Sequence, residues 1–334
     1  MILRAGLPAA AQNHFWGKRP TDHVALQTMA KKSDKILVLA GAHGPPVGGV
    51  ICARLDGVFN FQRPEALSRV ATAIRETGAT TLAILPGTRG ADAAGVLAVL
   101  AARRELAVLA PAAWFPVLTG PGRAPAVVFA GEPMIRFGAA APAGGGWCGR
   151  LLAAAALLLL APLLLLAAIM IWLGDRGPVF FLQQRFGRSG RPFRIFKLRT
   201  MRPHAELQRG ALVAVARSGR PFKVEDDPRA TRFGGWLRRH GLDELPQLLN
   251  VARGEMRLVG PRPLPEYEDW HYTEPWHPER LDGLPGVTGL WQVSGRNDRT
   301  FDEMCILDIW YLRNRSLALD LRILVRTVAV VWHG

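Results

Sequence analysis

The sequence predicts an α/β protein in two parts: an N-terminal domain built on a parallel sheet, and a second domain attached to a membrane. Two observations carry this prediction. Within residues 35–137, short apolar runs alternate with helical patterns, which is typical of βαβ units. Residues 151–173 then read LLAAAALLLLAPLLLLAAIMIWL without a charge. A helix of that length can cross the hydrocarbon core of a bilayer.

The elements of the first domain follow a loosely structured tail at residues 1–34. Their predicted order is a strand at 36–41, a strand within 45–55, a helix at 64–78, a strand at 80–87, a helix at 91–106, and strands at 106–111 and 124–131. Gly41, Gly44 and Gly48 follow the first strand, but their spacing departs from a phosphate-binding glycine turn. A structural or regulatory role is therefore favoured over nucleotide binding.

A Gly/Ala/Pro-rich linker at residues 138–150 leads into the apolar segment, which Pro162 interrupts. A proline removes a backbone donor and bends a helix. The segment is thus either a kinked single span or a hairpin that enters and leaves on one face. Arginines flank it on both sides, and such residues tend to stay in the cytoplasm, which favours the hairpin. A buried core helix is disfavoured, because the segment is apolar all round.

Charge and cysteine content restrict the partners and the compartment. The chain has 334 residues and a net charge of +15, which predicts a polyanionic partner. Beside an apolar segment, an anionic lipid surface and phosphorylated substrates are favoured, and no nucleic acid is expected. Cys52, Cys148 and Cys305 are too scattered for a disulfide framework or a zinc site. The N-terminus lacks the apolar core of a signal peptide, so the first domain is expected to stay inside the cell.

An acidic pair, Asp243 and Glu244, is the first candidate for chemistry. Gly241 ends a basic helix before it, Pro246 falls in the next helical turn, and Gly254 stops that helix. Ordinary N-capping by Asp243 is the simpler interpretation. In the functional interpretation, the helix N-terminus and nearby arginines favour an ionised Asp243. Such a carboxylate can attack phosphorus while Glu244 binds Mg²⁺.

Two further blocks are basic. Lys197 and Arg199 alternate with Phe196 and Leu198, so they are predicted to share one face of a strand. That face is either a solvated basic surface near lipid or a clamp for phosphate. The cationic and apolar positions in residues 304–332 predict amphipathic helices. These helices either lie in a membrane interface or pack in the core.

Together these blocks resemble the bacterial sugar transferase family, the monotopic phosphoglycosyl transferases that act on polyprenyl phosphate. The resemblance covers about residues 160–330 and includes the helix-breaking proline. The sequences that carry it are GPVFF, PF-x-x-x-K-x-RTM, LDELPQL-x-NV, LVGPRP and PG-x-TGLWQVSGR, which begin here at Gly177, Pro192, Leu242, Leu258 and Pro285.

The resemblance implies a re-entrant membrane hairpin at residues 151–173, bent at Pro162, and a catalytic domain at residues 174–334. It also implies that Asp243 is the nucleophile and that Glu244 holds Mg²⁺ as the cofactor. Basic positions that match the family's phosphate and nucleotide site are Lys197, Arg238, Arg262 and Arg296. Arg199 completes the predicted phosphate-binding set, because it is predicted to share a strand face with Lys197.

The implied reaction transfers a sugar 1-phosphate from a UDP-sugar to undecaprenyl phosphate, releases UMP and starts an exopolysaccharide. The first domain looks like the Rossmann-like domain found upstream in larger family members. Both domains are expected on the cytoplasmic side of the bacterial inner membrane, and a homodimer is the family-based expectation. The alternative is a non-catalytic membrane scaffold that recruits glycosyltransferases. Which sugar is transferred stays open.

Overall fold

The structure is a computed structural model that divides into two compact units, residues 1–140 and 141–334. It describes residues 36–40, 51–56, 64–86, 88, 91–119, 126–129, 132–139, 146–202, 205, 229–266, 272–295 and 299–333. Both units mix helices and strands, as the sequence predicts.

The first unit is a six-stranded sheet with two helices in the described part of its chain. Its elements are β1 (Ile36–Ala40), β2 (Ile51–Asp56), α1 (Pro64–Thr77), β3 (Thr81–Ile84), α2 (Ala93–Ala102), β4 (Ala107–Pro111), β5 (Ala126–Phe129) and β6 (Glu132–Phe137). The strand order is β2-β1-β3-β4-β6-β5. Strands β3 and β4 are buried throughout, which accounts for their unbroken apolar sequences.

The predicted parallel sheet is correct for β1 to β4 and wrong beyond them. Strand β6 pairs antiparallel with both β4 and β5. Residues 130 and 131 alone connect β5 to β6, and so short a connection permits only antiparallel pairing. The sequence pattern missed β6 because Pro133 and charged residues interrupt its apolar run.

The second unit begins with one long helix and continues with small paired strands and helices. Its elements are α3 (Trp147–Asp175), β7 (Phe180–Phe186), β8 (Pro192–Leu198), α4 (Arg232–Arg239), α5 (Gln247–Arg253), β9 (Arg257–Val259), β10 (Gly286–Thr288), α6 (Phe301–Asn314) and α7 (Leu317–His333). Strands β7 and β8 form an antiparallel hairpin, whereas β9 and β10 are parallel.

Helix α3 is long and apolar enough to cross a membrane by length and composition. An 18-residue stretch of it has a mean hydropathy of 2.8, and only 11% of that stretch is buried. The interpretation as a buried core helix is therefore wrong. The helix continues through Pro162, so the hairpin bent at this residue stays a prediction. One narrow stripe of α3 packs on the rest of the unit: Ala153 contacts the cluster around Val251, and Ala167 contacts the cluster around Leu198.

The two C-terminal helices differ in burial. Most residues of α6 are buried, including its charged residues Asp308 and Arg313. The interfacial interpretation is thus wrong for α6, which packs in the core. Helix α7 instead leaves a row of apolar side chains exposed, consisting of Leu317, Leu321, Val325 and Val328.

Candidate active site

The acidic pair lies in a short turn between α4 and α5. Gly241 adopts a left-handed backbone with φ of +65°, and Leu242–Glu244 form one 3-10 turn. Helix α5 begins only at Gln247. The prediction that Asp243 caps this helix is therefore wrong, because the 3-10 turn intervenes. The residue is 9% exposed, so it is largely shielded from water.

Strand β8 brings a cation to this turn. Lys197 Nζ donates a hydrogen bond to Glu244 Oε1 at 2.7 Å, and the two side chains are 15% and 27% exposed. Because the pair is partly shielded from solvent, it is screened less than a surface ion pair. Lys197 therefore lies directly against the acidic pair.

A cavity opens beside this ion pair. Its ionic lining consists of three cations and one carboxylate, so it attracts negatively charged groups. Carbonyl, amide and apolar groups complete the wall. The lining residues are Arg185, Ile195, Lys197, Glu244, Gln247, Arg262, Pro263, Gly286, Val287 and Gln292.

Glu244 is ionised because cations surround it. Loss of hydration raises the pKa of its carboxyl, but Lys197, Arg262 and Arg185 outweigh this effect and lower the pKa to about 2. Burial also lowers the pKa of Lys197, while the charge of Glu244 acts in the opposite direction. The cavity thus holds a permanent carboxylate within a positive field at neutral pH.

Asp243 experiences a different environment. Burial and the adjacent charge of Glu244 raise the pKa of its carboxyl, and the opposing effects of Lys197 and Arg238 do not reverse the shift. Arg238 does favour the ionised form, as expected, but burial and Glu244 outweigh it, so the net shift of the Asp243 pKa is upward. The physical reason is that Asp243 is buried beside an ionised carboxylate. A carboxylate with a raised pKa is more basic, which favours nucleophilic attack while it is ionised.

The chain segment 259–264 carries Arg262 and is held by side chains. Pro261 and Pro263 lack an N–H group, so they cannot form a regular ladder. Backbone N–H groups donate to Pro261 O and Leu264 O. Side chains donate to other carbonyl groups of the segment: Tyr311 to Val259 O at 3.0 Å, Arg280 to Arg262 O at 2.8 Å, and Arg185 to Pro263 O at 3.0 Å. These contacts fix the backbone from which the Arg262 side chain reaches the cavity.

One of these donors belongs to a buried ion pair. Arg280 and Asp308 are 0% and 1% exposed, and Arg280 Nε and Nη2 donate to Asp308 Oδ2 at 3.0 and 2.6 Å. Removing one partner of such a pair leaves an uncompensated charge in the core, which costs about 3–5 kcal/mol. The pair therefore fixes the Arg262 segment through the hydrogen bond from Arg280 to Arg262 O. The Arg262 guanidinium itself lies 5.6 Å from the ring centroid of Trp291.

Asn250 joins helix α5 to strand β8. Its Oδ1 accepts from the Phe196 backbone N–H at 3.1 Å, and its Nδ2 donates to the Arg194 carbonyl at 2.7 Å. The residue is fully buried. Because Phe196 precedes Lys197, this contact fixes the strand that presents the lysine. No periodicity or motif spacing assigned this role to Asn250.

The structure brings together several of the predicted residues. Lys197, Glu244 and Arg262 line one cavity, and Asp243 adjoins it, with Arg238 close enough to affect its pKa. Arg199 does not line this cavity and instead binds Asp175. Arg296 lies outside the described residues. Sequence reasoning did not assign site roles to the cavity residues Arg185, Gln247 and Gln292, although Gln247 and Gln292 lie in the blocks that carry the family resemblance.

Comparisons with known proteins identify a family for the part of the chain that contains this site. The model of the bacterial sugar transferase family matches residues 147–334. The chain is 46% identical over 164 residues to the galactosyl transferase CpsE of Streptococcus agalactiae serotype III, covering 48% of this chain and 36% of that protein. It is 43% identical over 162 residues to the undecaprenyl-phosphate galactose phosphotransferase of Salmonella typhimurium, covering 47% of this chain and 34% of that protein.

A third relative is the UDP-glucose:undecaprenyl-phosphate glucose-1-phosphate transferase of Xanthomonas campestris pv. campestris, which is 41% identical over 171 residues, or 49% of this chain and 34% of that protein. The chain thus spans about a third of the length of these relatives. The family model covers more than half of the chain and includes every described residue of the cavity. The chain belongs to the bacterial sugar transferase family.

Proposed function

We propose that this chain transfers a sugar 1-phosphate from a UDP-sugar to polyprenyl phosphate, and so begins an exopolysaccharide or surface glycan. The observation that carries the proposal is the acidic pair Asp243–Glu244 beside a cavity with a positive lining, in a unit that also holds an exposed apolar helix. Such a site suits a soluble, anionic donor and a lipid-borne acceptor phosphate. The relatives' names support this assignment.

In the first proposed step, the Asp243 carboxylate attacks the β-phosphorus of the UDP-sugar. A bond forms between the carboxylate oxygen and the β-phosphorus, and the bond from that phosphorus to the bridging oxygen breaks. UMP leaves with the bridging oxygen and the electron pair, and the sugar phosphate stays on Asp243. Burial of Asp243 and its raised pKa support this role.

In the second proposed step, an oxygen of polyprenyl phosphate attacks the same phosphorus. The acyl-phosphate bond breaks, Asp243 leaves as a carboxylate, and the product is a polyprenyl diphosphate sugar. Phosphoryl transfer depends mostly on positioning and on stabilisation of negative charge. Three cations of the cavity would stabilise this negative charge: Lys197, Arg185 and Arg262. Their positions around Glu244 support the proposal.

The donor atoms of the site fit Mg²⁺ only with help from substrate. Among the residues that the structure describes, no group of three or more His, Cys, Asp or Glu could hold a metal ion. Magnesium commonly binds through one or two carboxylates together with phosphate oxygens and water. We propose that Glu244 is its protein ligand, with the donor diphosphate supplying further oxygens. The ion would neutralise charge on that diphosphate.

We further propose that α3 is re-entrant at Pro162 and that both units lie on the cytoplasmic side of the inner membrane, with a homodimer as the assembly. The exposed apolar surface of α3 and the arginines that flank it support membrane attachment. For the first unit we propose a Rossmann-like, structural or regulatory role, which the parallel order β2-β1-β3-β4 supports.

A panel of UDP-sugars tests the proposal directly. The chain in detergent with Mg²⁺ and polyprenyl phosphate is expected to release UMP from at least one member of the panel. Donor alone is expected to leave a sugar-phosphate adduct on the peptide that contains Asp243, measured by mass spectrometry. Product formation without that adduct would reject the covalent step. Recruitment of glycosyltransferases without any UMP release would favour the scaffold alternative.

A further inference from the structure

Arg199 stands two residues after the cavity lysine, yet it is bound elsewhere. Both of its Nη atoms donate to the Asp175 carboxylate, Nη1 to Oδ2 at 2.8 Å and Nη2 to Oδ1. Asp175 is the last residue of α3, and strand β8 ends just before Arg199. The backbone N–H of Arg199 still donates to Val179 O at 2.8 Å, next to the last β7–β8 pair, so the prediction that it shares one face with Lys197 stays a prediction.

Gly177 forms part of the same contact. Its backbone N–H donates to Asp175 Oδ1 at 3.1 Å. A Cβ built on Gly177 would lie 2.9 to 3.1 Å from the Nη1, Nη2 and Cζ atoms of Arg199, so the guanidinium lies flat against the glycine. We name this arrangement the helix–strand clamp, defined by Asp175, Gly177 and Arg199. Bidentate arginine–carboxylate pairs are among the stronger and more directional polar contacts in proteins.

The clamp joins the apolar helix to the strand that presents Lys197. Leu198, between Lys197 and Arg199, is buried against Ala167 and Ile171 of α3. Arg199 itself is 9% exposed. Two successive residues after Lys197 are thus fixed on the end of α3, one by packing and one by the clamp.

Building on the proposed function, we infer that Arg199 is a positioning residue, which fixes Lys197 in the cavity through its pair with Asp175 at the end of the apolar helix. It does not contact substrate. The two groups that would bind a phosphate are occupied by one carboxylate, and Arg199 does not line the cavity. Membrane attachment of α3 and the geometry of the phosphate site are then mechanically connected.

A double-mutant cycle tests this inference. Asp175→Asn and Arg199→Gln each remove the clamp, and the double variant removes nothing further. All three are expected to slow UMP release in a single turnover by about tenfold. The amplitude of the Asp243 adduct, which counts active sites, is expected to stay unchanged. Arg191→Gln, at an exposed arginine of the β7–β8 turn, is the matched control and is expected to keep the wild-type rate.

Three outcomes would overturn the inference. If the single effects multiply in the double variant, the two residues act independently. If Arg199→Gln alone raises KM for the UDP-sugar, Arg199 binds substrate. If only the adduct amplitude falls while the rate per active site is kept, the clamp serves stability alone.

Failure of the proposed function would be seen separately. In that case the wild-type chain releases no UMP and forms no adduct with any UDP-sugar. The pairing can still be measured then, through the thermal unfolding midpoints of the same four variants in detergent. If the midpoint shifts of the two single variants do not add up in the double variant, the Asp175–Arg199 pair is supported. If the shifts do add up, the pair is rejected together with the proposed function.

Discussion

At the scale of single residues, the site combines two carboxylates that differ in environment although they are neighbours in sequence. Glu244 has a lowered pKa because cations outweigh its burial, and Asp243 has a raised pKa because burial and Glu244 act together. Different environments allow neighbouring carboxylates to hold different roles. This separation is consistent with one group that attacks phosphorus and another that stays charged throughout.

Asp243→Asn is expected to abolish UMP release, with a loss of about 1,000-fold or more, because the amide has no oxygen anion to attack phosphorus. The measurement is UMP formation with the best UDP-sugar, together with adduct mass. Asp302→Asn is the matched control at an exposed side chain and is expected to keep activity. An Asp243→Asn variant that still turns over would remove the nucleophile assignment.

Lys197→Met is expected to raise the pKa of Glu244 from about 2 towards its ordinary value of 4.5. A carboxyl with a lowered pKa in the folded state contributes stability above its unfolded pKa and loses that contribution as pH falls. The stability advantage of wild type over Lys197→Met should therefore decline between pH 4.5 and about 2. Thermal unfolding at a series of pH values measures it, and a constant difference would contradict the ion pair.

Motif spacing predicted some of these residues and missed others for physical reasons. Lys197 and Glu244 could be named from the residues themselves, and Arg262 through the family resemblance, because each lies in a compact block. The direction of the Asp243 pKa shift could not be predicted from sequence, since burial depends on tertiary packing. Arg199 was assigned to the phosphate site because strand alternation carries no information about its pairing with Asp175. Asn250 gave no signal, because a buried amide that joins two elements has no periodic pattern.

At the scale of elements, close backbone contacts bring the pieces of the site together. Helix α4 approaches the end of the β8 segment so closely that a Cβ on Gly234 would lie 2.1 Å from the Thr200 carbonyl oxygen. Thr231 caps the helix by accepting from the Gly234 N–H at 2.9 Å. This approach places the turn with the acidic pair beside Lys197.

Two adjacent glycines of α4 are expected to respond in opposite ways to the same substitution. Gly234→Ala should destabilise the fold by about 2–4 kcal/mol, because the methyl group would overlap backbone atoms of Thr200. Gly235→Ala meets only the end of the Arg239 side chain at 4.0 Å. It should therefore stabilise the helix by up to about 1 kcal/mol. Denaturant unfolding of both variants measures the contrast, and equal effects would contradict the close approach.

The elements themselves were largely predictable where periodicity was strong. Strands β3 and β4 and helices α1 and α2 lie within a few residues of their predicted ranges. Strand β6 was missed because its charges and proline hide the pattern. The 3-10 turn at Leu242–Glu244 was read as a helix start, since cap residues also suit short turns.

At the scale of the whole molecule, each of the two units has its own secondary structure, and the apolar helix belongs to the second unit. Most of the α3 surface is exposed and apolar, and a smaller stripe packs on the unit. That division of surface is typical of a helix that faces lipid on one side and protein on the other.

Leu159→Lys is expected to weaken membrane association without unfolding the second unit. Leu159 is 81% exposed, and moving a lysine into hydrocarbon costs about 3 kcal/mol more than leucine on insertion scales. The membrane-bound fraction after cell lysis measures the effect. Ser68→Lys, at an exposed position of α1, is the control and should leave that fraction unchanged. Equal membrane fractions for both variants would argue against lipid contact at this face.

The two-unit division also has a consequence for biosynthesis. All described strands of the first sheet precede residue 138, and α3 begins at Trp147. The ribosome therefore completes the sheet before it makes the apolar helix, and domains commonly fold as they emerge. The first unit can therefore leave the ribosome with all its described strands before the apolar helix emerges, so its sheet can form without that helix.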